Sequence, residues 1–212
     1  MKLKSKLLSL FLMLSAIASA ESGVVVTISN FQSSTVGIPI VTATGVPVDQ
    51  GQAFASAGIF DVGVNFSTMT LAQILAAFTP VDATPVALNA NFDGLFSAQD
   101  LSNQPYASGA FAGSAAYIVI GNSSNFSLAT MFAIYSPGAV FPTPDAIGNA
   151  AITLSATGTG GWVFGNLRPV TVQPTLPSAA YTTGIQMTTD IPEPTVALLG
   201  CLGLLGLIRR RR

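Results

Sequence analysis

Apolar residues in this chain come in short bursts separated by Gly, Pro, Asn, Asp and Ser. The bursts are rich in Val, Ile, Phe and Thr, a combination that predicts β-strands. Strands are expected at Val24–Ser29, Pro39–Thr44, Ala53–Phe60, Val62–Phe66, Val86–Asn91, Tyr106–Phe111, Tyr117–Gly121, Met131–Tyr135, Ile152–Ser155, Gly161–Phe164, Val170–Gln173 and Ile185–Thr188. Within 54–60 and 62–66 an apolar side chain recurs at every second position, which predicts one buried and one wet face. A single segment follows the helical period instead. Leu71, Ile74, Leu75 and Phe78 stand at i, i+3, i+4 and i+7, with Thr68 or Thr70 available as N-cap and Pro80 as a stop. Many short strands without long helices predict an all-β fold, a mainly antiparallel β-sandwich of jelly-roll or immunoglobulin-like kind. The one short helix is expected to pack on an open end of it. Proline-punctuated loops fall at 137–144 and 169–177, and neither a fixed-period repeat nor a dividing linker interrupts residues 21–190, so one domain is expected there.

The two ends follow different rules. Lys2, Lys4 and Lys6 precede an apolar run from Leu7 to Ile17, and Ala18-Ser19-Ala20 offers the small residues a signal peptidase needs. Residues 1–20 therefore read as a signal peptide, a helix in the membrane until cleavage before Glu21. At the other end Ile191-Pro192-Glu193-Pro194 leads into fourteen apolar and small residues, Thr195 to Ile208, and then into Arg209, Arg210, Arg211 and Arg212. The prolines leave an extended peptide, the apolar run can become a hydrophobic helix, and the arginines should hold its end on the cytoplasmic side. Fourteen residues at about 1.5 Å each cover ~21 Å, short of the ~30 Å hydrocarbon core, which suits a temporary hold better than a permanent span.

Pro192-Glu193-Pro194, the glycine-spaced apolar stretch (Gly200, Gly203, Gly206) and the terminal arginines together resemble the PEP-CTERM sorting signal of Gram-negative bacteria, over 191–212. The resemblance implies an exosortase-type membrane protease as partner, cutting near Pro-Glu-Pro after a transient stay in the inner membrane. It also implies a cell-surface or extracellular destination, with exopolysaccharide or biofilm matrix as the setting. The strands around Tyr117–Ile120 and Met131–Tyr135 are loosely similar to exported domains of such proteins, for which no activity carries over.

Charge sharpens this picture. The chain is 212 residues long with a formal net charge of −1, but seven of its eight cations sit at the two ends. Between Glu21 and Asp190 Arg168 is the one cation against eight anions, a net charge of −7. Such a body repels polyanions, so nucleic acid is not an expected partner. The chain has no histidine, its lysines all precede residue 7, and its single cysteine, Cys201, lies in the tail. A Ser-His-Asp or Cys-His triad, a histidine zinc site, a lysine Schiff base and a disulfide are thus excluded for 21–190. Aspartates remain, and Asp61 with Asp82 or Asp93 with Asp100 could in principle serve as a glycosidase pair. An enzyme is not the expectation.

One stretch has ligand-like spacing. Counting Asn89 as position 1, oxygen-bearing side chains fall at 1, 3, 5, 9 and 12 (Asn89, Asn91, Asp93, Ser97, Asp100) with Gly94 at 6, the spacing of a calcium loop. The same residues are ordinary turn formers, and no cofactor is expected beyond such a calcium ion. Trp162 could stack on a sugar ring, although a lone Trp in a sandwich is usually core. Three Asn-x-Ser triplets, at Asn65, Asn122 and Asn125, read as polar strand ends. The leading expectation is a non-enzymatic exported envelope or matrix protein. The alternative is a carbohydrate-binding module, calcium-assisted, with Trp162 as platform.

Overall fold

The computed structural model describes residues 24–31, 37–82, 84–88, 93–101, 111–143, 150–158, 161–173 and 181–189. Residues 1–20 and 191–212, with Ala18, Ala20, Glu21, the Pro-Glu-Pro motif and the arginines, lie outside them, as do Asn89, Asn91 and most of the strand expected at 106–111. Among the described residues no helix is long and apolar enough to cross a membrane.

The fold is all-β, mainly antiparallel, with one short helix. In chain order it runs β1 (Val24–Ser29), β2 (Ile40–Val41), β3 (Phe54–Phe60), α1 (Leu71–Ala76), β4 (Phe78–Pro80), β5 (Val86–Ala87), β6 (Ser97–Leu101), β7 (Tyr117–Gly121), β8 (Phe132–Tyr135), β9 (Ala150–Ser155), β10 (Trp162–Phe164), β11 (Asn166–Pro169) and β12 (Thr183–Gln186). Three sheets form: β6-β1-β9, then β10-β8-β7-β3-β4 with β5 also on β3, and β11-β12-β2. Two pairings, β1 with β9 and β12 with β2, are parallel and join segments far apart in sequence.

The centre of the middle sheet is covered on both faces, which explains why β7 and β8 read as continuous apolar runs; β3, whose alternation predicts one wet face, is buried on both, Ser56 included, because small residues on it face a second packed layer. Ile118, Ile120, Ala133 and Tyr135 join Ala55 and Ala57 in one core with Val26, Ile28, Ile40, Leu154 and Ile185 from the other two sheets. The alternate residues Val119, Phe132 and Ile134 pack with Phe164 and with Ile74 of α1 on the opposite side. Phe60, Phe66, Phe78 and Tyr117 add edge-on and tilted ring contacts there, with centroids 5.0–5.7 Å apart. Gly58 makes room for this layer: a Cβ on it would come within 2.6 Å of the Phe78 ring and would strike the Thr79 carbonyl.

A helix of six residues is marginal alone, so packing has to hold it. Thr70 is its N-cap, accepting from the Gln73 N–H while the Gln73 side chain takes the Thr70 N–H, and such a box contributes about 1 kcal/mol. Ile74 is fully buried, contributing a further ~2 kcal/mol or more. The helix lies on the outer face of the middle sheet rather than on an open end, because that face carries the apolar residues its stripe needs. It also stops earlier than the periodicity suggests. The Ala77 N–H turns back to the Gln73 and Ile74 carbonyls, and Phe78 is already paired with Phe60.

Two expected strands are absent. Residues 62–66 form turns, with Gly63 at φ +97°, Val62 fully exposed and the Asn65 side chain accepting from the Ser67 N–H. Local turn chemistry there overrides a five-residue alternation. Instead of 170–173, residues Asn166–Pro169 pair with β12, while Thr171 is drawn to the Gly45 and Thr44 carbonyls.

A buried asparagine ties the sheets together. Asn30, at the end of β1, is fully buried; its Nδ2 donates to the carbonyls of Ile38 (2.8 Å) and Gly94 (3.0 Å), and its Oδ1 accepts from the Phe96 N–H (2.7 Å). It thereby clamps the leads into β2 and β6 onto β1. Gly94 sits at φ +73° with its Cβ position 2.5 Å from the Ile40 carbonyl oxygen, a place only glycine fills without strain.

Candidate functional site

The residues singled out in the sequence do not assemble into one site. Asp93 and Gly94 form a tight turn, and Ser97 and Asp100 both belong to β6, which pairs with β1. The second half of the calcium-like spacing is therefore extended strand, where three residues span ~10 Å, rather than a closing loop. Among the described residues no group of three or more acidic, histidine or cysteine side chains is placed to hold a metal ion. Asp61 lies level with Ala77, whose carbonyl takes its N–H, and Asp82 is five residues farther along that segment. The Val81 N–H meets the Ala57 carbonyl, four residues before Asp61 on the same segment, so Asp61 and Asp82 stand towards opposite ends of the β3–β4 pair, at ~3.3 Å per residue some ~13 Å of strand apart.

Trp162 is half-buried. Its indole N–H donates to the Gly158 carbonyl (3.0 Å), and its ring leans on Tyr135 with centroids 4.9 Å apart. It belongs to the packing around β8 and β10 and offers no fully open ring. The three Asn-x-Ser triplets are structural: Asn65 and Asn125 close turns onto Ser67 and Ser127, and Asn122 accepts from the N–H groups of both Thr130 and Met131.

A concave site does exist, at positions that sequence reasoning did not bring together. A cavity of about 430 Å³ opens between the segment after β4 and the loop joining β7 to β8. Pro80, Asp82 and Pro85 line one side, and Ser124, Asn125, Phe126 and Ser127 the other. Both walls are held by short hydrogen bonds. The Asp82 carboxylate accepts from the Thr84 N–H at 2.8 Å, fixing the turn that leads into β5. Asn122 staples the base of the opposite loop, and the Asn125 Oδ1 accepts from both the Ser127 N–H (3.0 Å) and Oγ (2.7 Å), opening a 3-10 turn over Phe126–Leu128. Phe126 is anchored from below by the rings of Phe78 and Phe132, at 6.3 and 6.0 Å. The cavity combines one carboxylate, two serine hydroxyls and an amide with two proline rings and an aromatic ring, and among the described residues no cation lines it.

No protein-family model matches the chain, and no curated protein or solved structure matches it either.

Proposed function

We propose that the chain is an exported, non-enzymatic protein of the cell envelope or extracellular matrix, sorted through residues 191–212 by an exosortase-like membrane protease and associated with exopolysaccharide. The observation that carries this is the order Pro192-Glu193-Pro194, fourteen apolar and small residues, four arginines. A ~21 Å apolar helix is too short for a comfortable span, so the membrane holds the chain only until the extended Pro-Glu-Pro segment is cut. The three N-terminal lysines and the apolar run after them start export in the same sense, with positive charge kept on the cytoplasmic side. A body built without histidine, lysine or cysteine suits a structural role outside the cell: it has no thiol to oxidise and few groups for acid–base chemistry.

The test is joint replacement of Pro192, Glu193 and Pro194 by alanine in a host that makes the protease. Mass spectrometry of the unaltered protein should find ends near Glu21 and near Pro-Glu-Pro. The variant should keep its tail and stay in the membrane fraction. Identical mature masses and identical location for both proteins would overturn the reading.

A further inference from the structure

We propose that the cavity between 80–85 and 124–127 is a binding site for a neutral saccharide. This names a ligand site for the exopolysaccharide association proposed above, but it is argued from the cavity alone, so its failure would leave the sorting reading standing. A volume of about 430 Å³ falls within the ~300–1,000 Å³ of small-ligand sites, room for one or two sugar rings. The lining has the two surfaces a pyranose presents: Pro80, Pro85 and Phe126 for its C–H faces, and Asp82, Ser124 and Asn125 for its hydroxyls.

The hydrogen-bonding capacity left over is of the matching kind. One Asp82 oxygen holds the Thr84 N–H, and the other has no partner among the described residues, so the half-buried carboxylate can accept from sugar hydroxyls. The Asn125 Oδ1 is taken up by Ser127, leaving its Nδ2 to donate, and the Ser124 hydroxyl can do either. An ionised acceptor beside neutral donors fits a polyol.

Charge selects against the alternatives. Arg168, the one cation among the described residues, does not line the cavity and donates from Nε to Gln186, so among those residues no guanidinium or ammonium stands in it to meet a phosphate, sulfate or uronate. A single carboxylate also gives a dication only one formal negative charge to meet, fewer than calcium loops supply. Because both walls are already fixed by their own turns, binding costs little ordering of the protein.

The experiment is calorimetry and ligand-observed NMR on the full chain in detergent. The probes are gluco-, manno-, xylo- and galacto-oligosaccharides of two to six units, with oligogalacturonate and inorganic phosphate as anionic counterparts. At least one neutral oligosaccharide should bind and the anions should not. Asp82→Asn keeps the oxygen that receives the Thr84 N–H and should weaken binding at least ten-fold. Ser124→Trp, at an exposed position whose side chain has no hydrogen bond among the described residues, fills the cavity and should abolish binding even if Asp82→Asn fails to fold. Asp61→Asn, towards the other end of the β3–β4 pair and outside the cavity lining, should bind normally. Absence of binding to every neutral probe at millimolar concentration, equal binding of anions, or binding unchanged in Ser124→Trp would each overturn the proposal.

Discussion

Replacing Asn30 by alanine should cost this fold more than any other polar-to-alanine change among the described residues. The substitution removes three hydrogen bonds of 2.7–3.0 Å at a fully buried position. Their partners fare differently. The Gly94 carbonyl keeps the Ile40 N–H at 2.7 Å, but the Phe96 N–H and the Ile38 carbonyl have no other partner among the described residues. Two orphaned buried backbone groups at about 1–3 kcal/mol each, plus the emptied side-chain volume, give an expected loss of about 3–5 kcal/mol. For a domain of this size that lowers Tm by about 10 °C. Trp162, the only tryptophan, is half-buried against Tyr135 and reports unfolding in urea by its fluorescence. Asn30→Asp separates the hydrogen bonds from the volume. It keeps the acceptor for Phe96 but turns a second oxygen towards the Ile38 and Gly94 carbonyls, which raises the carboxyl pKa in the folded state. Its stability is then greatest below the unfolded carboxyl value of about 3.9 and is lost as pH rises from there through the raised folded-state value. A loss below about 1 kcal/mol for Asn30→Ala at unchanged m-value, or no pH dependence separating Asn30→Asp from the unaltered chain, would refute the clamp.

Gly58→Val should destabilise by about 2–3 kcal/mol, because the new Cβ meets the Phe78 ring and the Thr79 carbonyl and forces β4 off β3; urea midpoints compared with the neighbouring change Ala57→Val would reveal a purely generic cost. Tyr181 is buried, its hydroxyl has no partner among the described residues, and desolvation raises its pKa above the ordinary 10.0. The folded state thus holds this proton after the unfolded chain has lost it, so the contribution is intact below pH 10 and is lost as pH rises beyond it. Tyr181→Phe should leave stability at pH 7 equal or higher by about 1 kcal/mol and remove part of the alkaline decline; a destabilised variant with an unchanged alkaline limb would contradict this.

The strands that sequence pattern finds best are those whose own residues mark them. β1 and β7 match their expected bounds residue for residue, and β8 and β10 fall within one residue; β7 and β8 are apolar throughout because they are buried along their length, while β1 is marked by its β-branched run and β10 by the aromatic residues at its two ends. The pattern fails where one local rule outweighs another. Val62-Gly-Val-Asn-Phe66 alternates like a strand, yet Gly63 and Asn65 carry turn chemistry that five residues of alternation cannot overcome. β6 and β11 are polar enough to read as loops; they are strands because β1 and β12 offer them edges. Asn30 is the plainest omission. Its neighbours Ile28 and Phe31 mark a strand end, where asparagine is commonplace, and nothing local reveals that Ile38, Gly94 and Phe96 converge on it.

The same contrast separates the proposed address from the proposed ligand site. A translocon or a membrane protease meets an extended peptide, so what it reads must be written consecutively, as Lys2 to Ala20 and Pro192 to Arg212 are. A saccharide meets a surface that exists only once β3 has taken β4 on one side and β7 on the other, with Gly58 opposite Pro80 and Phe54 opposite Gly121. Each wall of the cavity is visible alone, Asp82-Ala-Thr-Pro85 and Asn122-Ser-Ser-Asn125 being evident turns. Their meeting is a property of strand register across some forty residues. A one-residue slip of β7 on β3 would carry Phe126 off the Phe78 ring and dismantle the site while leaving every turn intact.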